Sequence, residues 1–135
     1  MRIIVAGGDG FIGWPLSMRL SRDGHEVLII DNLARREIDE KNGYCSISPI
    51  KSVEERLERW KEITGKTIGF KKIDISSEKT EFFKAFEEFC PDAIVHLAEQ
   101  KSAPYSMKSL ETVGETYTNN TQSTLNVLLA MMKFN

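Results

Sequence analysis

The chain is 135 residues long, with 18 basic and 20 acidic side chains, a net charge of −2, 41% hydrophobic residues and 28% charged ones. One modest globular domain fits that length, and the balanced charge excludes nucleic acid or an anionic membrane surface as the main electrostatic partner. Cys45 and Cys90 supply neither a disulfide framework nor a metal-ligand spacing, no apolar run approaches a transmembrane length, and a reduced cytoplasm is the expected location.

Arg2 to Ala6 is a continuous β-branched apolar run stopped by Gly7-Gly8, the pattern of a strand buried on both faces of a parallel sheet. Phe11 to Asp23 reads as a helix with Leu16 and Leu20 on one face, Pro15 tolerated in its first turn, and Asp23-Gly24 as its exit. Glu26 to Asp31 is a second buried strand. Residues 32–51 are polar, contain Gly43 and Pro49, lack sustained periodicity and read as a long functional loop. Ser52 and Glu55 form a capping box for a helix whose stripe is Val53, Leu57, Trp60 and Ile63, ended by Gly65.

Ile68 to Ile75 supplies a third strand; Lys71 and Lys72 place it toward a sheet edge. Phe82, Phe83, Phe86 and Phe89 mark the apolar face of the next helix, and Ala93 to Ala98 a fourth buried strand. A loop from Glu99 to about Leu110 leads to a last helix over Gln122 to Lys133, with Leu125, Leu128, Leu129 and Met132 as its expected core face. Alternating strands and helices predict one α/β domain over 1–135, a doubly wound parallel sheet.

The chemistry concentrates at Gly7-Gly8-Asp9-Gly10-Phe11-Ile12-Gly13, a G-x-x-G-x-x-G run between the first strand and helix. Gly7 suits the tight turn, Gly10 the close approach of backbone to a pyrophosphate, and Gly13 the packing of helix on sheet; the helix start offers free amides and a positive dipole end. Asp31, eighteen residues past Gly13, ends the second strand, where a carboxylate accepts from ribose hydroxyls and repels a 2′-phosphate. The reading is a Rossmann-like dinucleotide site preferring NAD to NADP. Arg35 and Arg36 bear on that preference, since a guanidinium there suits a 2′-phosphate, an adenine face or the pyrophosphate equally. Asp74-Ile75 ends the third strand beside the adenine position, or else simply caps the chain before Ser76. His96 reads as a packed histidine rather than a base, and the cysteines as ordinary thiols.

The glycine run, Asp31, Asp74-Ile75, His96-Leu97-Ala98 and Asn119-Asn120, in that order, resemble the extended short-chain dehydrogenase/reductase family, the NAD-dependent epimerases and dehydratases of nucleotide sugars. Asp31 to Arg36, Trp60-Lys61, Thr64 to Lys66 and Glu99 to Met107 resemble its UDP-sulfoquinovose synthase branch. Lys101 departs from that branch, which typically has arginine there, and matches the galactose-epimerase pattern. The resemblance implies NAD contacts from Gly7, Asp9, Gly10, Phe11, Ile12, Gly13, Asp31, Asn32, Arg35, Asp74, Ile75, Leu97, Ala98, Glu99, Lys101 and Asn119. Glu99 and Lys101 would also face the sugar, with Lys101 as the local partner of the Glu99 carboxylate.

The resemblance further implies a UDP-sugar substrate, UDP-glucose first, a homodimer for the whole enzyme, and no metal. The family's catalysis uses a tyrosine four residues before a lysine. Here Ser48, Ser109 and Thr121 stand four residues after Tyr44, Tyr105 and Tyr117. The expectation is therefore the cofactor-binding part of a longer enzyme, truncated before its catalytic half and inactive alone. A 4-epimerase, a 4,6-dehydratase and a non-catalytic dinucleotide sensor remain the alternatives.

Overall fold

The computed structural model describes residues 1–100 and 104–134. Strands β1 (Arg2–Ala6), β2 (Glu26–Asp31), β3 (Gly69–Lys72) and β4 (Ala93–His96) alternate with helices α1 (Gly13–Arg22), α2 (Ala34–Lys41), α3 (Val53–Thr64), α4 (Lys79–Phe89) and α5 (Leu110–Phe134). A short 3₁₀ turn, Tyr105–Met107, precedes α5. The sheet is parallel with order β3-β2-β1-β4; Ile4 pairs with Leu28 on one side and Ile94 on the other. Order reverses at β1, so the crevice beyond its carboxyl end is the topological switch point, where open α/β sheets bind ligands.

The runs in β1 and β2 bury both faces, with Ile4, Val5, Ile29 and Ile30 fully inside. Each such side chain stabilises the fold by about 1.5–3 kcal/mol. Beneath one face Ile3, Val5, Val27 and Ile29 pack on Trp14, Leu16 and Leu20 of α1 and Leu57 and Trp60 of α3. On the other, Ile4, Ala6, Leu28 and Ile30 meet Phe82, Ala85 and Phe86 of α4 and Val127 and Ala130 of α5. This is the two-sided burial that the apolar runs predict.

Five elements differ from expectation. Strand β3 spans Gly69–Lys72 rather than Ile68 to Ile75, because the chain turns at Asp74, whose carboxylate takes the Ser76 amide and hydroxyl. Helix α1 begins at Gly13, because Phe11 and Ile12 are spent in the turn that carries the glycine run. The presumed loop 32–51 contains α2, which buries no residue and is instead held by its N-terminal turn. The amide of Ala34 donates to Asn32 Oδ1, and that of Leu33, at φ 62°, to Asp31 Oδ1. Strand β4 ends at His96 and is only half-buried, since no described strand pairs with its outer side.

Helix α5 starts twelve residues before Gln122 and packs on a different face. Leu125, Leu128 and Met132 are exposed and Leu129 half-buried, while Ser123, Asn126, Val127 and Ala130 are buried. Small side chains bring the helix close to the sheet, and Asn126 Nδ2 donates to the Ile75 carbonyl at 2.7 Å, which satisfies it in the core.

Candidate functional site

The glycine run crosses the crevice under severe steric restriction. Gly7 has φ 78°, and a Cβ there would stand 2.5 Å from the Leu97 carbonyl carbon of the neighbouring chain segment. A Cβ on Gly13 would lie 2.2 Å from the Gly7 oxygen and 2.7 Å from Gly8 Cα. Both obstacles are backbone, so neither can turn aside. Gly10, by contrast, has only the Gly7 oxygen near, at 3.2 Å, and presents bare backbone outward. No described residue accepts from the amides of Phe11 or Ile12, which sit at the positive end of α1. That cradle opens on a cleft of about 530 Å³ whose lining includes Gly7, Asp9, Gly10, Phe11, Ile12, Gly13, Asp31, Asn32, Arg35, Asp74, Ile75, Leu97, Ala98, Glu99 and Asn119. A small-molecule site is commonly of this size.

One wall is a network of polar side chains at the strand ends. Asp31 accepts from the Asp9 amide at 2.9 Å and the Leu33 amide at 2.8 Å, which leaves further lone pairs for a ligand. Burial pushes its carboxyl above the usual range, against the pull of those two amides. Asp74 takes the Ser76 hydroxyl and amide on Oδ1 and the Asn32 amide group on Oδ2 at 3.1 Å. Burial works against that carboxylate, but the bonds from Ser76, Asn32 and Ser77 prevail and hold its pKa low. Asp74 thus both caps the chain before Ser76 and faces the cleft.

At the opposite wall Asn120 clamps the segment after β4, accepting from the Gln100 amide at 2.8 Å and donating to its carbonyl at 3.0 Å. Asn119 Nδ2 donates to Asn120 Oδ1, so the pair acts as one unit. The Glu99 carboxylate meets His96 Nε2 at 3.0 Å and accepts from Thr124 Oγ1 at 3.0 Å. Lys101, the expected partner of Glu99, lies outside the described residues. Burial pulls the His96 pKa down, opposed by Glu99.

Three contributors escaped the sequence reading. Ser123 and Thr124, on α5, reach His96 from a helix that periodicity alone placed with a different face inward. Arg56, on α3, lies across the Trp14 ring at 4.0 Å and bonds to Asp9. Neither has a local sequence signal, because each depends on how distant elements pack. Arg36 donates twice to Asp9, whereas Arg35 lines the cleft and pairs with Asp39.

Residues 3–135 match the model of the NAD dependent epimerase/dehydratase family. The chain belongs to that family. It is 44% identical over 135 residues to a chloroplastic UDP-sulfoquinovose synthase of Spinacia oleracea, covering 98% of this chain and 27% of the relative. With the UDP-sulfoquinovose synthase of Sulfolobus acidocaldarius it shares 45% identity over 134 residues, 98% of this chain and 34% of the relative. The crystal structure of UDP-glucose 4-epimerase from Bifidobacterium longum, in complex with NAD+ and UDP, superposes with a TM-score of 0.75 at 28% identity, covering all of this chain and 34% of that one. The chain therefore spans about a third of the length of these relatives. Among the described residues no helix is long and apolar enough to cross a membrane, and no cluster of ligands for a metal ion occurs.

Proposed function

We propose that this chain is the NAD-binding part of a nucleotide-sugar-modifying enzyme of the UDP-sulfoquinovose synthase type. The observation that carries the reading is the cradle: two glycines with no room for a Cβ, free amides at a helix start, and Asp31 at the rim of one cleft. The residues present fit a dinucleotide. The amides of Phe11 and Ile12 would hold the pyrophosphate, Asp31 the adenosine ribose, and Asp74 and Ile75 would bound the adenine. Glu99, Lys101 and Asn119 would stand toward the sugar end. When bound, NAD supplies hydride transfer at sugar C4. In the complete enzyme the route would run through a 4-keto sugar, loss of the C6 hydroxyl as water, and addition of sulfite at C6.

The sulfoquinovose branch rests on the 44% and 45% identities. Proton transfer belongs to residues outside this chain's motifs, so the 135 residues alone should bind NAD without turnover. A homodimer of the complete enzyme and a reduced, cytoplasm-like setting for the exposed Cys45 and Cys90 complete the proposal.

Two measurements test it. Calorimetry should detect NAD binding to this chain, and Gly13→Ala should abolish it, because the added methyl meets backbone at 2.2 Å. A variant that binds as well as the wild type removes the cradle from the site. The complete gene product, given UDP-glucose and sulfite, should release a sulfonated sugar nucleotide. Only UDP-galactose, or only a 4-keto-6-deoxy sugar, would reassign the enzyme to an epimerase or a dehydratase, and no sugar chemistry at all would make it a dinucleotide sensor.

A further inference from the structure

The glycine run contains one charged residue, and it is buried under two arginines. Asp9 has a side chain only 9% exposed. Its Oδ2 accepts from Arg36 Nε at 2.6 Å and its Oδ1 from Arg36 Nη2 at 2.9 Å, the two-pronged pairing that planar guanidinium and carboxylate groups favour. Arg56 bonds to the same Oδ1 from α3, its side chain 16% exposed and its guanidinium laid over the Trp14 ring. Arg36 is further tied by donating to the Lys51 carbonyl at 3.0 Å. Both guanidiniums are therefore fixed, and both are engaged on the side of Asp9.

This cluster touches the ribose position directly. The Asp9 backbone amide donates to Asp31 Oδ2, and the negative charge of Asp31 is felt by Arg36 and by Arg56. Asp9 and Asp31 thus face the two guanidiniums, and Glu54 adds to the negative charge felt by Arg36. Without the Asp9 carboxylate both guanidiniums would lose their hydrogen-bonded anion and be left beside the ribose position. Adjacent arginine is the usual means by which this fold accepts a 2′-phosphate.

We propose that Asp9 sets cofactor choice: by sequestering Arg36 and Arg56 it denies them to a 2′-phosphate and keeps the site selective for NAD over NADP. Asp31 repels the phosphate, and Asp9 withholds the cations that would otherwise outweigh that repulsion. Asp9 is here a positioning and specificity residue. The inference rests on the NAD reading of the cleft.

The test is calorimetric titration of this chain with NAD+ and with NADP+, for the wild type and for Asp9→Asn, Asp9→Ser, Arg36→Ala and the Asp9→Asn/Arg36→Ala pair. Wild type should prefer NAD+. Asp9→Asn and Asp9→Ser should move the ratio of NADP+ to NAD+ affinity about tenfold toward NADP+, whatever they do to NAD+ itself, since one buried charge partner is removed near the phosphate and not near the nicotinamide. Arg36→Ala alone should keep the wild-type preference, and in the double variant most of the NADP+ gain should disappear. A folded Asp9 variant with an unchanged NAD+/NADP+ ratio, including one that weakens both cofactors equally, overturns the proposal. So does loss of the wild-type circular dichroism spectrum in both Asp9 variants, which would make Asp9 a residue of loop folding alone. Wild type that binds NAD+ with an unmoved ratio in the variants rejects only this inference; wild type that binds neither cofactor rejects the NAD reading as well.

Discussion

His96 shows how one side chain acquires its chemistry from packing. Its ring closes the end of β4 with the side chain 16% exposed, Nε2 against Glu99, and Nδ1 buried with no partner among the described residues. Removal from water disfavours the imidazolium more than the half-exposed Glu99 favours it, so the pKa falls below the ordinary value. The sign follows from linkage. The unfolded chain takes up the proton near pH 6.5, about the ordinary value, and the folded chain only at lower pH. The neutral ring's contribution to stability is therefore complete above that pH and is lost as the pH falls toward the folded pKa. Proton NMR titration should give His96 a midpoint below about 6.5, and His96→Gln should flatten the loss of stability between neutral and mildly acid pH. A midpoint above that value would mean that Glu99 dominates and that the site carries an imidazolium.

Helix α3 shows the same dependence one level up. Its start is legible in the sequence: Ser52 Oγ accepts from the Glu55 amide while Glu55 Oε2 accepts from the Ser52 amide, both at 3.1 Å. Its end is Gly65 at φ 70°, as expected of a left-handed cap. Its role is not legible. Once formed, α3 delivers Arg56 to Asp9, and Trp60 Nε1 donates to Ser21 Oγ on α1 at 3.1 Å. Ser52→Ala should lower the unfolding free energy by about 1 kcal/mol in urea titration, the ordinary worth of an N-cap. No change would show that Arg56, Trp60 and Val53 hold the helix without its cap. Helix α2 went unrecognised because residues 34–41 have only Ile38 and Ala34 as apolar residues. Nothing periodic announces such a helix; side-chain oxygens at its entry and ion pairs such as Arg35–Asp39 sustain it.

At the scale of the molecule, α5 has two unlike faces. Ser123, Asn126, Val127 and Ala130 meet the sheet, while Leu125, Leu128, Met131 and Met132 are exposed on the remaining surface. A cluster of exposed apolar side chains of this kind is a contact surface or an association hazard. Leu128→Glu should therefore alter stability by no more than about 0.5 kcal/mol and reduce concentration-dependent association of the 135-residue chain in sedimentation velocity. Ala130→Glu, which puts a charge where the side chain is wholly buried, should instead unfold it. Equal damage from both substitutions would contradict the orientation of α5.

The sequence by itself determined the alternation of strands and helices, the edge position of β3, the capping box, the cradle and the acid that ends β2. Each is a local property: buried parallel strands need unbroken apolar runs, and close backbone approaches need glycine. Only the tertiary structure decided which face of α5 is core, what partners Glu99 and whether Arg36 is free. Periodicity identifies an apolar stripe but not the neighbour that covers it, so the large residues of α5 pointed outward while serine and alanine packed inward. Arg36 and Asp9 are 27 positions apart, and Arg56 and Asp9 are 47 apart. Charges so separated in the chain become partners only when α2 and α3 pack beside the turn that follows β1, and burial then makes their pairing matter.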